Sequence, residues 1–575
     1  MPWEDTKKIK ELAEEEISFV PFKNFKSVPT NVVLIYPNSY SLGMSNLGFH
    51  SIYSQINSRE DSLCHRAFAS LGDNDFSKIR AFESGQPLDV YDIIAFSISF
   101  ELDYINVLKI LDRSGLPVLA KDRERPLVIA GGPSVTFNPE PLAPFFDAFV
   151  IGEGEEVIHE IIETFANIKY RSKQEILEGL SALQGVYVPA FYKVEYDGKG
   201  RVSEFSVKTE VPARIRKRWI KRLDDIKTES VILTPNTEFK DMFLLEVSRG
   251  CGRNCRFCMA GYCYRVPRER SLGCVLERAE FGSKYKKKIG LVGAAISDYS
   301  HIDEISEKFI KKQIKFSVSS LRADTLREPL MEGLARSGHR TLTIAPEAGS
   351  QRLRNLINKG IDESHVINSI NLAYKYGICN IKLYYIIGLP TETDGDIDEM
   401  IDFLIKIKDF MKKMGNKTGN LSISVNPFIP KPWTPFQWVG MESTDILNKK
   451  ISRLENALKP RGIRVLSESP RLSEIQAALA RGDRLMGFLL YEVYKLGGKT
   501  SSYKKVEIEG KNLEHYAHRS LDFEDILPWD HMDIGLKKEY FINEYKRALQ
   551  GKFTRRCTDE ICSTCSICQH KGGGE

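Results

Sequence analysis

Residues 242–265 read MFLLEVSRGCGRNCRFCMAGYCYR. The run FLLEV has the length and apolarity of a buried strand and ends in a Gly-Cys turn at Gly250 and Cys251. Cys251, Cys255 and Cys258 follow with C-x3-C-x2-C spacing. Three thiolates on one short loop hold three corners of a cubane iron–sulfur cluster and leave the fourth iron open to a small molecule. A cluster that only carries electrons takes a protein ligand at every iron. Zinc asks for four ligands, commonly as two separated Cys/His pairs, and this loop offers three thiols. Cys263 lies outside the spacing and reads as a packed bystander thiol.

Downstream of the loop, strand-like runs end repeatedly in polar turns. KIGLVGAAISDY (288–299) ends in a Gly-Ala turn, and IKFSVSSLRAD (314–324) ends in Ser319, Ser320 and Arg322. TLTIAPEAGSQRL (341–353) places Glu347 at a strand end, IKLYYIIGLPTET (381–393) ends in Gly388-Leu389-Pro390, and NPFIPKPWTPFQW (426–438) closes the set. Interleaved helices make this a parallel barrel with its site at the carboxyl ends of the strands. Any one of these polar turn residues also suits a helix cap.

The three-cysteine spacing, with the aromatic Phe257 just before Cys258, resembles the signature of the radical S-adenosylmethionine (SAM) superfamily. The resemblance implies a [4Fe-4S] cluster on Cys251, Cys255 and Cys258 whose open iron chelates SAM, with reductive cleavage to a 5′-deoxyadenosyl radical. It implies a partial (β/α)6 barrel over 236–470, with Ser320, Arg322 and Glu347 as SAM-positioning residues. Tyr384 and Tyr385 sit on one barrel strand, so one of them points inward.

Ahead of the barrel, residues 31–160 alternate strand, turn and helix: NVVLIY (31–36), CHRAFAS (64–70), DIIAFSISF (92–100), PLVIAGG (126–132) and DAFVIGEGEE (147–156). This is the pattern of a doubly wound, Rossmann-like α/β domain. Paired with the barrel, its SIS triplet (Ser97–Ser99), GGP (Gly131–Pro133) and VIGEGEE (150–156) resemble the cobalamin-binding class of radical SAM proteins. That resemblance implies a cobalamin pocket lined by Ser97, Ser99, Gly131 and Gly132. The usual Asp-x-His-x-x-Gly loop is absent: PNSYSLGMSNLG (37–48) contains no histidine, and His50 falls in the helix that follows. Either cobalamin binds without a protein imidazole, or the domain has kept the fold and lost the cofactor.

Residues 1–30 read as a charged helix and lead-in, 161–235 as a β-rich connector with a DGKG turn, and 471–575 as a mostly helical region ending in a Cys-rich tail. In that tail Cys557, Cys562, Cys565 and Cys568 suit a second iron–sulfur cluster, with zinc as the other reading and His570 as a spare ligand. Tight cysteine clusters fit a reducing compartment, and the amino terminus resembles neither a secretory signal nor a transit peptide, so the expected location is the cytoplasm.

The chain has 575 residues, 42% hydrophobic and 28% charged, with a net charge of +5. That composition excludes a collagen, a disordered tail and a disulfide-dense mini-protein. No apolar run reaches the ~20 residues needed to span a bilayer. The basic runs RIRKRWIKR (214–222) and KYKKK (284–288) read as solvated faces.

The expected function is cobalamin-dependent methyl transfer, with SAM and an electron donor such as flavodoxin or ferredoxin as partners and RNA or protein as substrate classes. Sulfur insertion or methylthiolation through the tail cluster is the enzymatic alternative. An RNA-associated binding or redox-sensing iron–sulfur protein is the non-enzymatic one.

Overall fold

The computed structural model describes residues 3–71, 78–208, 210–414, 419–557, 565 and 567. The chain forms two units: residues 1–241 with 478–516 and 524–535, and residues 242–477 with 517–523 and 536–575. The stretch 471–575, read from sequence as one region, therefore contributes to both. The interval 161–235 is less β-rich than its composition suggested. Helix Val157–Ile168 runs into it and Lys173–Ser181 follows, before the hairpin Tyr192–Tyr196 and Val202–Val207.

In the first unit the sheet is built from β1 (Thr30–Ser39), β2 (Ser62–Ser70), β3 (Ile93–Ser97), β4 (Leu127–Gly131), β5 (Ala148–Val150) and β6 (Val186–Tyr187). Its order is β2-β1-β3-β4-β5-β6, parallel except for the β5–β6 pair. β1 is buried from Thr30 to Tyr36, as expected of a central strand covered on both faces. Helix α1 (Leu47–Ser58) starts where the Asn46 side chain accepts the Phe49 N–H, and it buries Leu47, Phe49, Tyr53 and Ile56. α2 (Tyr104–Arg113) buries Ile105, Val107, Leu108 and Leu111. Strand order reverses between β1 and β3, and open α/β sheets place ligands at such a switch point.

The second unit runs β7 (Met242–Glu246), α3 (Leu272–Ser283), β8 (Lys288–Val292), α4 (Ile302–Lys311), β9 (Lys315–Ser317), α5 (Glu328–Arg336), β10 (Thr341–Glu347), α6 (Glu363–Lys375), β11 (Asn380–Ile387), α7 (Asp394–Lys413), β12 (Leu421–Pro427), α8 (Thr444–Leu458) and β13 (Ile463–Ser467). β7-β8-β9 form one parallel sheet and β10-β11-β12-β13 another. A parallel bridge between Leu321 and Ile344 joins the two. Six βα units and a closing seventh strand result, which is the partial barrel the sequence implied.

Burial alternates with period two along β10, β11 and β12. Leu342, Ile344, Leu383, Ile387, Ile423 and Val425 take the buried face. Thr343, Glu347, Lys382, Tyr384, Ser422, Ser424 and Asn426 take the half-exposed face. Of the tyrosine pair, Tyr385 is the buried one. The polar face is thus the one not used for packing.

Candidate active site

The cysteine loop leaves β7 and is closed at its neck by a short antiparallel ribbon, Ser248–Arg249 against Arg268–Glu269. Gly250 sits there at φ +81°, with a Cβ position only 2.3 Å from the Tyr264 carbonyl oxygen, so no side chain fits.

Three polar residues tie the loop to its surroundings, Arg253 and Arg256 from within it and Asn358 from outside. Arg253 pairs with Asp298 and donates to Asp324 at 2.9 Å. Arg256 is fully buried; it donates to the Leu356 carbonyl at 2.9 Å, the Lys552 carbonyl at 2.6 Å and Thr554 Oγ1 at 3.0 Å, and pairs with Glu544 at 3.2 Å. Asn358 donates to the Asn254 and Thr554 carbonyls at 3.2 and 3.1 Å. Between these anchors Cys255 is buried and Cys251 and Cys258 are half-buried.

Burial, then the neighbouring Cys255 and Cys251, pushes the Cys258 thiol up to about 12, and Cys251 is raised by the same causes. Burial thus disfavours Cys251 and Cys258 as free thiolates, a cost that a bound metal centre offsets. Three thiols leave a zinc ion one ligand short of four but match a cubane that keeps one iron open, so the donor set fits a cluster better than zinc.

The residues expected to position SAM divide. Glu347 ends β10 in the left-handed region at φ +69°, unusual for a non-glycine residue. Its carboxylate meets Lys359 Nζ at 3.1 Å. Arg322 donates to Asp324 at 3.0 Å and to the Lys359 carbonyl at 2.7 Å, and its Nη1 stands 4.0 Å from Cys255 Sγ. The geometry thus places Arg322 against the cysteine loop and the 358–360 turn. Ser320 is exposed, next to the Leu321 bridge. Lys359 was not singled out from sequence. Its only local signal is the NKG turn, where Asn358 and Gly360 both take positive φ.

At the switch point of the first unit, Ser97, Ser99, Gly131 and Gly132 are all half-exposed at strand ends. Asn46 donates to Ser99 at 3.1 Å, and Asn38 to Asp103 at 2.6 Å. Gly132, at φ +110°, has its Cβ position 2.5 Å from the Ile98 carbonyl, so it is required by the chain crossing there. His50 is buried: its Nδ1 accepts the Val231 N–H at 3.2 Å and its Nε2 bonds the Met44 carbonyl at 3.0 Å. Burial lowers it to about 4, so it is a neutral core residue with both nitrogens engaged.

Burial also raises Asp103 to about 7, opposed by the Asn38 bond and aided by Glu101. A carboxyl whose folded pKa lies above its unfolded value favours folding below ~4, and that contribution is lost as pH rises to about 7. Asp103→Asn in the cofactor-free protein should therefore leave stability unchanged at pH 4. At pH 8 it should raise it by on the order of 1–3 kcal/mol, read by urea unfolding of the first unit.

Of the tail thiols, Cys557 and Cys565 are buried. The Cys557 N–H donates to the Gly252 carbonyl at 2.7 Å, beside Cys251. Cys562, Cys568 and His570 lie outside the described residues. No helix among the described residues is long and apolar enough to cross a membrane.

Comparison with known proteins agrees with this geometry. The family model for the N-terminal region of radical SAM proteins matches residues 48–189, and the radical SAM superfamily model matches residues 245–404. The uncharacterized protein MJ0966 of Methanocaldococcus jannaschii is 36% identical over 85% of this chain and 97% of its own. The uncharacterized methyltransferase PH0819 of Pyrococcus horikoshii is 26% identical over 64% of this chain and 80% of its own. Among solved structures, the radical SAM methyltransferase TsrM from Kitasatospora setae, with cobalamin and a [4Fe-4S] cluster bound, is similar at TM-score 0.44 and 13% identity, covering 71% of this chain and 74% of that one. The cysteine loop, the six-unit barrel and the two radical SAM family-model matches thus place the chain in the radical SAM superfamily.

Proposed function

We propose that this radical SAM enzyme transfers a methyl group, with cobalamin held at the switch point of the first unit. When bound, the cluster supplies the electron and the chelating iron for reductive cleavage of SAM, and cobalamin supplies a methyl carrier. Cys251, Cys255 and Cys258 hold the cluster. Arg253, through Asp298 and Asp324, fixes the loop that carries them. Glu347 and Lys359, facing each other at the end of β10, offer a carboxylate and an ammonium to the polar groups of SAM. Lys382, Tyr384, Ser422, Ser424 and Asn426 present hydrogen-bonding groups to a polar substrate; Asn426 Oδ1 is buried without a partner.

The observation that carries the cobalamin reading is the set of half-exposed Ser and Gly strand ends beside the reversal of strand order, with Asn46 bonded to Ser99 there. The kinship to PH0819, described as a methyltransferase, supports methyl transfer. The tail thiols are proposed to hold a second iron–sulfur cluster or a zinc ion, with Cys557 beside the first loop.

The test is anaerobic incubation of cluster-loaded, cobalamin-loaded protein with SAM and a strong reductant. S-adenosylhomocysteine and 5′-deoxyadenosine should both form. We expect cobalamin to bind base-off with no protein imidazole as ligand, so the Co(II) state should show an electron paramagnetic resonance spectrum without nitrogen superhyperfine splitting. Absence of both products overturns methyl transfer. Splitting that changes when the protein is labelled with 15N comes from a protein nitrogen and overturns the histidine-free site; splitting that does not change comes from the cofactor's own base and overturns base-off binding. Product that carries sulfur, and is lost in Cys557→Ala, would point to methylthiolation.

A further inference from the structure

We infer that the cationic face built by residues 537–556 is the docking surface for a small acidic one-electron carrier protein that reduces the cluster on Cys251, Cys255 and Cys258; the inference rests on the cluster assignment above. These twenty residues hold seven Lys and Arg against Glu539 and Glu544. Their local excess equals the +5 of the whole chain. Glu544 is buried and shared between Arg256 and Arg547, so of the seven cations only Arg547 is ion-paired to it.

Lys537, Lys546, Lys552, Arg555 and Arg556 are exposed. Among them stand two large apolar side chains, Leu549 at 51% and Phe553 at 61% exposure. Helix α9 (Lys538–Leu549) and the segment after it enclose a cavity of about 560 Å³ lined by Lys537, Tyr540, Arg547, Phe553, Arg555 and Cys565, among others. Exposed apolar anchors within a ring of one charge sign are the makings of a transient protein interface.

What selects the partner is what lies beneath. The segment 552–557 is laid directly on the cysteine loop. The Lys552 carbonyl accepts from Arg256 and the Arg555 carbonyl from Asn254, at 2.6 and 2.7 Å. The Cys557 N–H donates to the Gly252 carbonyl at 2.7 Å. Thr554 and Cys557 point inward and are buried, while Lys552, Phe553, Arg555 and Arg556 face solvent. One layer of chain therefore separates the cationic surface from the loop that carries the cluster ligands.

Nucleic acid is the other polyanion such a face attracts, but the exposed aliphatic Leu549 beside Phe553 offers apolar contact area of the kind a protein surface covers and a phosphate backbone does not. In the step itself one electron leaves the carrier's reduced centre and enters the cluster. The carrier is oxidised by one electron, the cluster is reduced by one, and no group is transferred.

The test compares the full cluster-loaded chain with a K546E/K552E/R555E variant. Lys552 and Arg555 meet the loop through backbone carbonyls, so charge reversal leaves those bonds in place. Reduced flavodoxin serves as the acidic probe and photoreduced deazaflavin as the small reductant. Two quantities are read: flavodoxin binding by fluorescence anisotropy, and cluster bleaching by stopped flow.

Binding and flavodoxin-driven bleaching should fall about tenfold or more in the variant, and should fall in the wild type as salt rises. Bleaching by deazaflavin should be unchanged. Equal flavodoxin binding and bleaching in the two proteins would overturn the inference. So would a variant that loses affinity for single-stranded RNA while flavodoxin still reduces it at the wild-type rate. Failure of deazaflavin to bleach even the wild type would instead remove the cluster assignment, and the inference with it.

Discussion

Cys255→Ala should abolish SAM cleavage while leaving the fold intact. Cys255 is the middle thiol of the three and the buried one. With two protein ligands left, a cubane loses the support of two irons rather than one. The variant should lose about four irons per chain relative to the wild type, and 5′-deoxyadenosine formation should drop by at least ~100-fold. Retention of the fold follows from how the loop is held. Arg253, Asn254, Arg256 and Asn358 anchor it without help from the thiols. Normal thermal unfolding with no cluster absorbance is the expected pair of observations. A variant that keeps its cluster and its activity would show that iron is held elsewhere.

Much of this was legible in the sequence because it is local. The C-x3-C-x2-C spacing, the Gly250 turn and the strand runs lie within a few residues of one another, and period and spacing reveal them. The switch point was legible in part: SISF and the 37–48 loop could be read as strand ends, and the sheet order β2-β1-β3 then brings them together.

The polar frame of the site was not legible, because its bonds join residues far apart in the chain. Arg253 meets Asp298 and Asp324 across 45 and 71 positions, and Arg256 meets Glu544 across 288. No local pattern marks such pairs. Arg322 shows the consequence. Read alone, an arginine at a strand end is a donor for SAM. In the fold its guanidinium reaches Asp324, the Lys359 carbonyl and the neighbourhood of Cys255. Lys359, which faces Glu347, escaped notice because it lies in a turn after a short helix rather than at a strand end. The sequence marks the tail only by its cysteine spacing, yet the backbone of residues 552–557 is part of the support of the first cysteine loop.

That support gives the second large effect. Arg256→Ala should loosen the loop and the tail together, with every cluster ligand still present. The guanidinium is fully buried, and burial works against its charge; Glu544 is its counter-ion. Removing it leaves a buried carboxylate with Thr554 Oγ1 at 2.7 Å and the half-exposed Arg547 as its remaining partners. It also leaves the Leu356 and Lys552 carbonyls without their donor. Breaking a buried pair from one side costs about 3–5 kcal/mol.

In a chain of two units that loss need not show in one global transition, so hydrogen exchange is the suitable measurement. Amides of residues 253–258 and 552–557 should lose protection by on the order of a hundredfold or more, while those of β1 and β3 in the first unit keep theirs. Arg256→Met with Glu544→Leu should recover most of the loss, because it removes both charges at nearly constant volume. If the double variant is no better than the single one, the carbonyl bonds rather than the ion pair hold the loop. Set beside Cys255→Ala, the two variants separate the ligands of the cluster from the scaffold that presents them: one empties a firm site, and the other unfastens a complete one.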